Sequence, residues 1–429
     1  MFGFANFLLL ALFAAAVFDL IFALARGGGL RGALHGLWNT PHLLFGQQLA
    51  EWRLQLGRIL FAAGLAAYEI SVVFCNSMAR QNWAWVQGVM SPVLEWLAFL
   101  CFGAKILFGT RYTWRELLAG GALYFIARWV YFNSQNIWWI GIVVAVLAAK
   151  DVPLRRPLQV YFASGCAAMA VVLALHFAGI VAPDLTSERM GALRGTYGYG
   201  HPNTFGGLVF GLVLAYALLR AQKVRWVDCL LVFAVGMFLL VGPASRSAAL
   251  CTLALAVGLV FCRLRTGHSV PRSWPGACAG MVGLTAAVSY LLPLLVIKVG
   301  PWNNDIGPAW LAKLDSLLTC RISLTWMAYR LLDVKIAGQV FNWPTVDNSF
   351  AFALFQFGPV VAALLGILFA AALWGHAKQG RRVEVCCLFA MLAYAYMEVQ
   401  PFHLTTNPTA LLLCGAVFAQ TSARWQEIE

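Results

Sequence analysis

Four arginines, Arg189, Arg194, Arg246 and Arg321, fall at or beyond the ends of apolar segments, on the side where a membrane chain ordinarily keeps few cations. A guanidinium presents a planar fork of donors that matches phosphate oxygens two at a time. Cations in those positions suit a phosphate-rich substrate handled at the outer face. The densest cluster is the run from Arg194 to Gly206, RGTYGYGHPNTFG. Its glycines permit close approach of a ligand to the backbone. Pro202 suits the first turn of a helix, whose open amides would face outward as an anion site. Arg194 is the catalytic candidate of this run. Tyr197, Tyr199, His201 and Asn203 are its substrate-binding candidates, together with Arg189 just before it. A turn leading into a helix, with an interfacial belt of Tyr and Arg, is the plainer account of the same residues.

Four further segments carry chemistry-bearing side chains. Arg246 sits in the tight turn from Pro243 to Ser247, where an arginine snorkelling at a helix end is the ordinary explanation. Arg321 falls on the polar side of an amphipathic stretch, where a solvated charge is the default. The run from Val346 to Phe350 opens a span. Asp347 there is a carboxylate able to take a proton from a sugar hydroxyl. Asp347 and Ser349 also suit helix capping, and Asn348 is a substrate-binding candidate. Glu398 closes the twelfth span and is followed by Gln400, His403 and Asn407, the last a further binding candidate. A carboxylate at that depth either pairs with an arginine or works as a base. Glu69, Glu95 and Arg128 lie inside spans and are expected to pair with one another as structural groups.

The elements that must position these residues follow from composition. The chain has 429 residues, of which 61% are hydrophobic and 11% charged, with mean hydropathy +0.76. A soluble domain is about a quarter charged, so the surplus apolar surface must face lipid. Long runs of Leu, Ala, Val and Phe do not alternate as barrel strands would. The expected fold is an all-α polytopic integral membrane protein of about 12–13 transmembrane helices, with 1–429 forming a single transmembrane domain. The spans read as 2–25, 58–78, 88–108, 114–132, 136–149, 157–182, 202–220, 224–241, 247–263, 276–299, 349–375, 382–399 and 408–423. The first is read as retained rather than as a cleaved signal, for it has no basic lead-in.

The net charge of +13 does not indicate nucleic acid. Most Lys and Arg fall in every second short loop, which is topogenic charge and places the N-terminus outside and the C-terminus inside. The eleven cysteines contain no CxxC pair, so neither a metal site nor a disulfide framework is expected. Two outer loops stand out. Residues 183–201 hold the Gly- and Tyr-rich run. Residues 300–348 form a large outer loop, in which helical spacing over about 311–333 predicts an amphipathic surface helix. The inner segment 30–56 reads as a second interfacial stretch.

Five elements in order resemble the Wzy-type polysaccharide polymerases and the related O-antigen ligases. The run from Arg194 to Gly206 is similar to their Arg…Gly-aromatic-Gly-His-Pro-Asn-Thr-x-Gly stretch. Ser245-Arg246 resembles a Ser-Arg pair two spans later. Arg321…Trp326 resembles an Arg-x₄-Trp helix in the large outer loop. The run from Val346 to Phe350, followed by Phe357-Gly358, resembles an Asp-Asn-Ser-aromatic…Tyr-Gly element. Glu398 and Asn407-Pro408 resemble the last outer loop. The likeness covers about 190–410. It implies a GT-C-like membrane glycosyltransferase of the cytoplasmic (inner) membrane, with its active site on the extracytoplasmic face. Such an enzyme uses an undecaprenyl-diphosphate-linked oligosaccharide, without cofactor or metal, to build O-antigen, capsule or exopolysaccharide. Membrane lipid surrounds it, and a flippase and a chain-length regulator are the partners implied. Arg194, Arg246 and Arg321 would clamp the diphosphate, with Arg189 as a weaker fourth. Asp347 or Glu398 would activate the acceptor hydroxyl, with His201 as the outside candidate.

Two other readings stand beside this one. An O-antigen-type ligase shares the donor chemistry, but that branch typically has a His where this chain has Asp347, which favours polymerase. A lipid-linked oligosaccharide flippase or secondary transporter would show charges and broken helices at mid-membrane, whereas the candidate charges here lie mostly at span ends.

Overall fold

A computed structural model describes residues 2–25, 29–45, 51–181, 187–189, 192–265, 271–296 and 307–418. The helices are α1 (Phe2–Ala25), α2 (Gly29–Asn39), α3 (Glu51–Cys75), α4 (Ala79–Asn82), α5 (Ser91–Phe108), α6 (Trp114–Ser134), α7 (Ile137–Ala148), α8 (Arg155–Phe177) and α9 (Pro202–Leu219). They continue with α10 (Trp226–Val241), α11 (Arg246–Leu264), α12 (Trp274–Leu291), α13 (Ala309–Leu317), α14 (Arg321–Leu331), α15 (Ser349–Phe352), α16 (Pro359–Lys378), α17 (Arg382–Met397) and α18 (Leu413–Val417). Two short antiparallel pairs complete the described chain: β1 (His42–Leu43) with β2 (Arg111–Tyr112), and β3 (Ser187–Arg189) with β4 (Ala192–Arg194).

Among the described residues, eight helical stretches are long and apolar enough to cross a membrane. The chain is an all-α, multi-pass membrane protein. Helices dominate because lipid offers no partner for a backbone amide or carbonyl, and a helix satisfies both within itself. Large apolar side chains stand exposed along these helices, such as Phe7, Leu10 and Phe13 on α1 and Val227 and Leu230 on α10. In water such stripes would be costly; against acyl chains they are the preferred surface.

α7 is different. Its side chains from Trp139 to Ala148 are all buried. At 12 residues it is about 18 Å long, well short of a hydrocarbon core of about 30 Å. It packs on the 3₁₀ turn Pro408–Leu412 and on α18, a second short segment. The fifth span and the described part of the thirteenth, residues 408–418, are therefore internal partners, shielded by longer helices.

Four sequence expectations are corrected. The eleventh span begins at Pro359, not at 349. Gly358 has φ +88° and breaks the chain between α15, with its π-turn Ala353–Phe357, and α16. A Cβ at Gly358 would lie 2.1 Å from the Ile336 carbonyl oxygen, so the loop before α15 seats directly on this break. The surface helix expected over 311–333 is two helices, parted at Thr319 and Cys320, both with positive φ. There Asp315 Oδ1 accepts from the Ile322 and Ser323 amides at 2.8 and 3.1 Å. A continuous helix would have given those amides to carbonyls four residues earlier; a side-chain acceptor competed and won. Finally, no ion pair joins Glu69, Glu95 and Arg128 among the described residues. Arg128 on α6 donates through Nε to Asn6 Oδ1 of α1 at 2.8 Å, while Glu69 on α3 lies against Gly165 of α8. The groups sit on faces directed at different neighbours. The inner segment forms α2, and α3 starts earlier than expected, at Glu51. Residues 297–306, the opening of the large loop, lie outside the described residues.

Candidate active site

The run after β4 leads into α9 through His201, whose Nδ1 accepts from the Asn203 amide at 3.1 Å, with Pro202 at the first helical position. Each choice is one a helix N-terminus favours: an acceptor before it and a proline just inside. Gly206 brings α9 against the start of α11, because a Cβ there would fall 2.3 Å from Ser245 Oγ. α11 itself begins at Arg246 with no side-chain cap.

Arg194 is buried and reaches across this junction. Its Nε donates to the Pro243 carbonyl at 3.3 Å, and one terminal nitrogen donates to the Ala244 carbonyl at 3.2 Å and to Asn203 Oδ1 at 2.8 Å. Asn203 passes the connection on, donating through Nδ2 to Glu398 Oε1 at 3.1 Å. Glu398 Oε1 also accepts from Ser247 Oγ at 2.8 Å and from Arg321 at 2.5 Å. The same Arg321 nitrogen stands 3.9 Å from Asp347 Oδ2. One polar chain thus runs Arg194, Asn203, Glu398, Arg321, Asp347, drawing on four separate stretches of sequence.

Arg321 is held on every side. Besides Glu398 it donates to the Leu318 carbonyl at 2.9 Å, to the Met397 carbonyl and to Thr319 Oγ1. The expectation of a solvated charge is reversed: the residue is 7% exposed. Its position depends on Asp315, a residue that sequence reading passed over. Asp315 is fully buried and also accepts from Ser323 Oγ at 2.8 Å. The available signal was an aspartate inside an otherwise apolar helical stretch. Replacing Asp315 with Ala is expected to strip three donors of their acceptor. That costs on the order of 2–3 kcal/mol of stability in a detergent melt and exposes the amides of Ile322 and Ser323 to hydrogen exchange.

The two carboxylates differ in setting. The Glu398 side chain is 6% exposed and that of Asp347 29%. Burial pushes the Glu398 pKa above the ordinary carboxylate range; the Arg321 guanidinium opposes the rise and the Asp347 charge adds to it. Asp347 is open enough to meet a ligand, whereas Glu398 is enclosed by its donors.

The remaining candidates differ in setting. Arg246 is exposed at the first position of α11, two residues past the carbonyl of Ala244 that Arg194 holds. Tyr197 (φ +52°) stacks on Phe205 with centroids 5.0 Å apart. Tyr199 is fully buried beside the same ring. Asn348 caps α15, accepting from the Phe350 amide at 2.9 Å and donating to Ser289 Oγ at 3.1 Å. Asn407 is likewise turned inward, bonding the Pro401 carbonyl and the Ala410 amide. Arg189 pairs through its backbone with Ala192 in the β3–β4 hairpin; its side chain lies outside the described residues. Gln400, noted in the sequence only as a neighbour of Glu398, ties the site together by donating to the Asn203 carbonyl at 3.2 Å and accepting from Tyr394 OH at 2.8 Å. No group of three or more His, Cys, Asp and Glu side chains converges as a metal-binding set among the described residues.

The arrangement offers an exposed arginine at an uncapped helix start, a buried arginine–carboxylate pair beneath it, and a second carboxylate within reach of ligand. That is suited to holding an oxyanion while a proton is removed nearby. In comparisons with known proteins, no family model, no curated protein and no solved structure matches the chain.

Proposed function

We propose that the chain is a membrane glycosyltransferase, GT-C-like in plan. It polymerises undecaprenyl-diphosphate-linked oligosaccharide repeat units at the extracytoplasmic face of the cytoplasmic membrane. The observation that carries this reading is the convergence of Arg194, Asn203, Arg321, Asp347 and Glu398, from four of the five sequence elements, into one connected cluster. Those are the elements whose order resembles a polysaccharide polymerase.

In this mechanism the acceptor hydroxyl of one repeat attacks the anomeric carbon of the donor. The new carbon–oxygen bond forms as the bond to the lipid diphosphate breaks, and the diphosphate leaves with the electron pair. Departure of so charged a group is aided by cations rather than by a general acid. Arg246 and the open amides of α11 receive it, and Arg194 closes the far side of the turn. Asp347 takes the hydroxyl proton. Glu398 is a positioning residue: it aligns Arg321 with Asp347 and Asn203 with Arg194. Arg189, Tyr197 and His201 are assigned to substrate binding, and Tyr199, Asn348 and Asn407 support the site from behind. A flippase that delivers repeat units and a regulator of chain length fit this role as partners.

The test is a single-turnover reaction of purified protein in liposomes with lipid-diphosphate-linked repeats. Wild type is expected to give a glycan ladder. Arg246→Ala should fold normally, since the side chain is exposed, yet slow transfer by about 100- to 1000-fold, as the loss of one charge-stabilising donor does. Transfer of a finished glycan once to a different acceptor would replace this reading with a ligase. Substrate carried across the bilayer with no new linkage would replace it with a flippase or transporter.

A further inference from the structure

At the opposite end of the bundle from Glu398 lies a cavity of about 480 Å³. Arg58, Arg111, Arg381 and His376 line it, with Glu51 and Asp151 as the acidic members. Of these two carboxylates, Asp151 is already engaged. Asp151 accepts from the Arg111 amide at 3.2 Å and lies 3.5 Å from Lys150 Nζ, which also pairs with Glu116 at 3.0 Å. Lys105, also buried behind the cavity, donates to the Lys150 carbonyl at 2.8 Å.

Two donors there are left over. Arg111 Nε and His376 Nδ1 are buried and have no hydrogen-bond partner among the described residues. His376 is 9% exposed. Neither Arg58 nor Arg111 forms a side-chain ion pair among the described residues. The N-terminus of α8 has no side-chain cap, and its lead-in from Val152 to Leu154 forms part of the cavity wall. Guanidinium forks, an imidazole and an uncapped helix start around one cavity share a single chemistry, that of an oxyanion acceptor.

We infer that this cavity is a second, separate site that binds a phosphoryl group, from either an anionic lipid headgroup or soluble phosphate. Its place at the end of the bundle rich in Lys and Arg suits the headgroup region, where an anionic lipid meets basic side chains. The site is independent of the proposed transfer chemistry, for none of its residues belongs to the Glu398 cluster.

The full chain in neutral detergent tests this by thermal melting and by native mass spectrometry. The probes are phosphatidylglycerol, phosphatidylcholine and inorganic phosphate. A rise in melting temperature and retained lipid with phosphatidylglycerol alone identifies a headgroup site. A rise with millimolar inorganic phosphate, competing with phosphatidylglycerol, identifies a soluble phosphate site. In either case Arg58→Gln with Arg111→Gln should weaken the apparent affinity about tenfold or more. Arg58→Gln alone is the variant to use if the pair fails to fold, because that side chain is exposed. No response to any probe, or a response unchanged in the variants, overturns the inference.

Discussion

Arg321→Ala is expected to abolish transfer and, at the same time, to destabilise the fold by about 3–5 kcal/mol. Its loss leaves Glu398 as an uncompensated buried charge. Because fold and activity fall together in that variant, the informative experiment is a pair of changes. Arg321→Met with Glu398→Leu removes both charges and fills similar volume, which for buried pairs is often neutral or stabilising. Melting temperature should recover toward wild type while the glycan ladder stays absent. Recovery of both would mean that the pair only supports the fold. The pH dependence gives a second handle. Folded Glu398 holds its proton more tightly than in the unfolded chain. Its contribution to stability is therefore complete below the unfolded carboxylate pKa and declines as pH rises through the raised folded value. Glu398→Gln should remove that decline from a series of melts.

Asp347→Asn should behave in the opposite manner, leaving the fold intact and removing the reaction. The side chain is partly open to solvent, and its contact with Arg321 is long at 3.9 Å, so an amide is tolerated without a large stability change. An amide cannot accept the acceptor hydroxyl's proton. Loss of general-base assistance typically slows a reaction about 10²- to 10⁴-fold. Binding of the lipid-linked donor, measured by its retention on the protein, should be near wild type, because the diphosphate contacts lie elsewhere. Full turnover in Asp347→Asn would move the base to Glu398 or remove the need for one. Donor binding lost along with turnover would mean that Asp347 acts on Arg321 rather than on the acceptor.

Much of the architecture was legible in the sequence because it rests on local, composition-driven physics. Apolar runs of span length must be helices in lipid, and loops alternating in basic charge mark the two ends of the bundle. The candidate chemistry was legible for a related reason. Arginines in basic-poor loops, and Asp347 and Glu398 at span ends, are expensive to keep without partners, so residue type and position alone marked them. The helix start at Pro202 could also be read from local preferences, whereas the cap of α15 is Asn348 and not the expected Asp347 or Ser349.

Tertiary structure alone decided which of these residues meet. Arg194 reaches Glu398 only through Asn203, and Arg321 lies against Glu398 only because Asp315 breaks a helix the periodicity would have continued. That break is a competition between a side-chain acceptor and the backbone, and no hydrophobic period records it. The same holds for Gly358, whose positive φ splits a span, and for Arg128, which turns to Asn6 rather than to a carboxylate. Periodicity and charge determine what a segment is and which end it occupies. Partnership across 50 to 195 residues depends on how helices pack side by side, and that information is carried by shapes such as the Gly206–Ser245 contact rather than by any single stretch of chain.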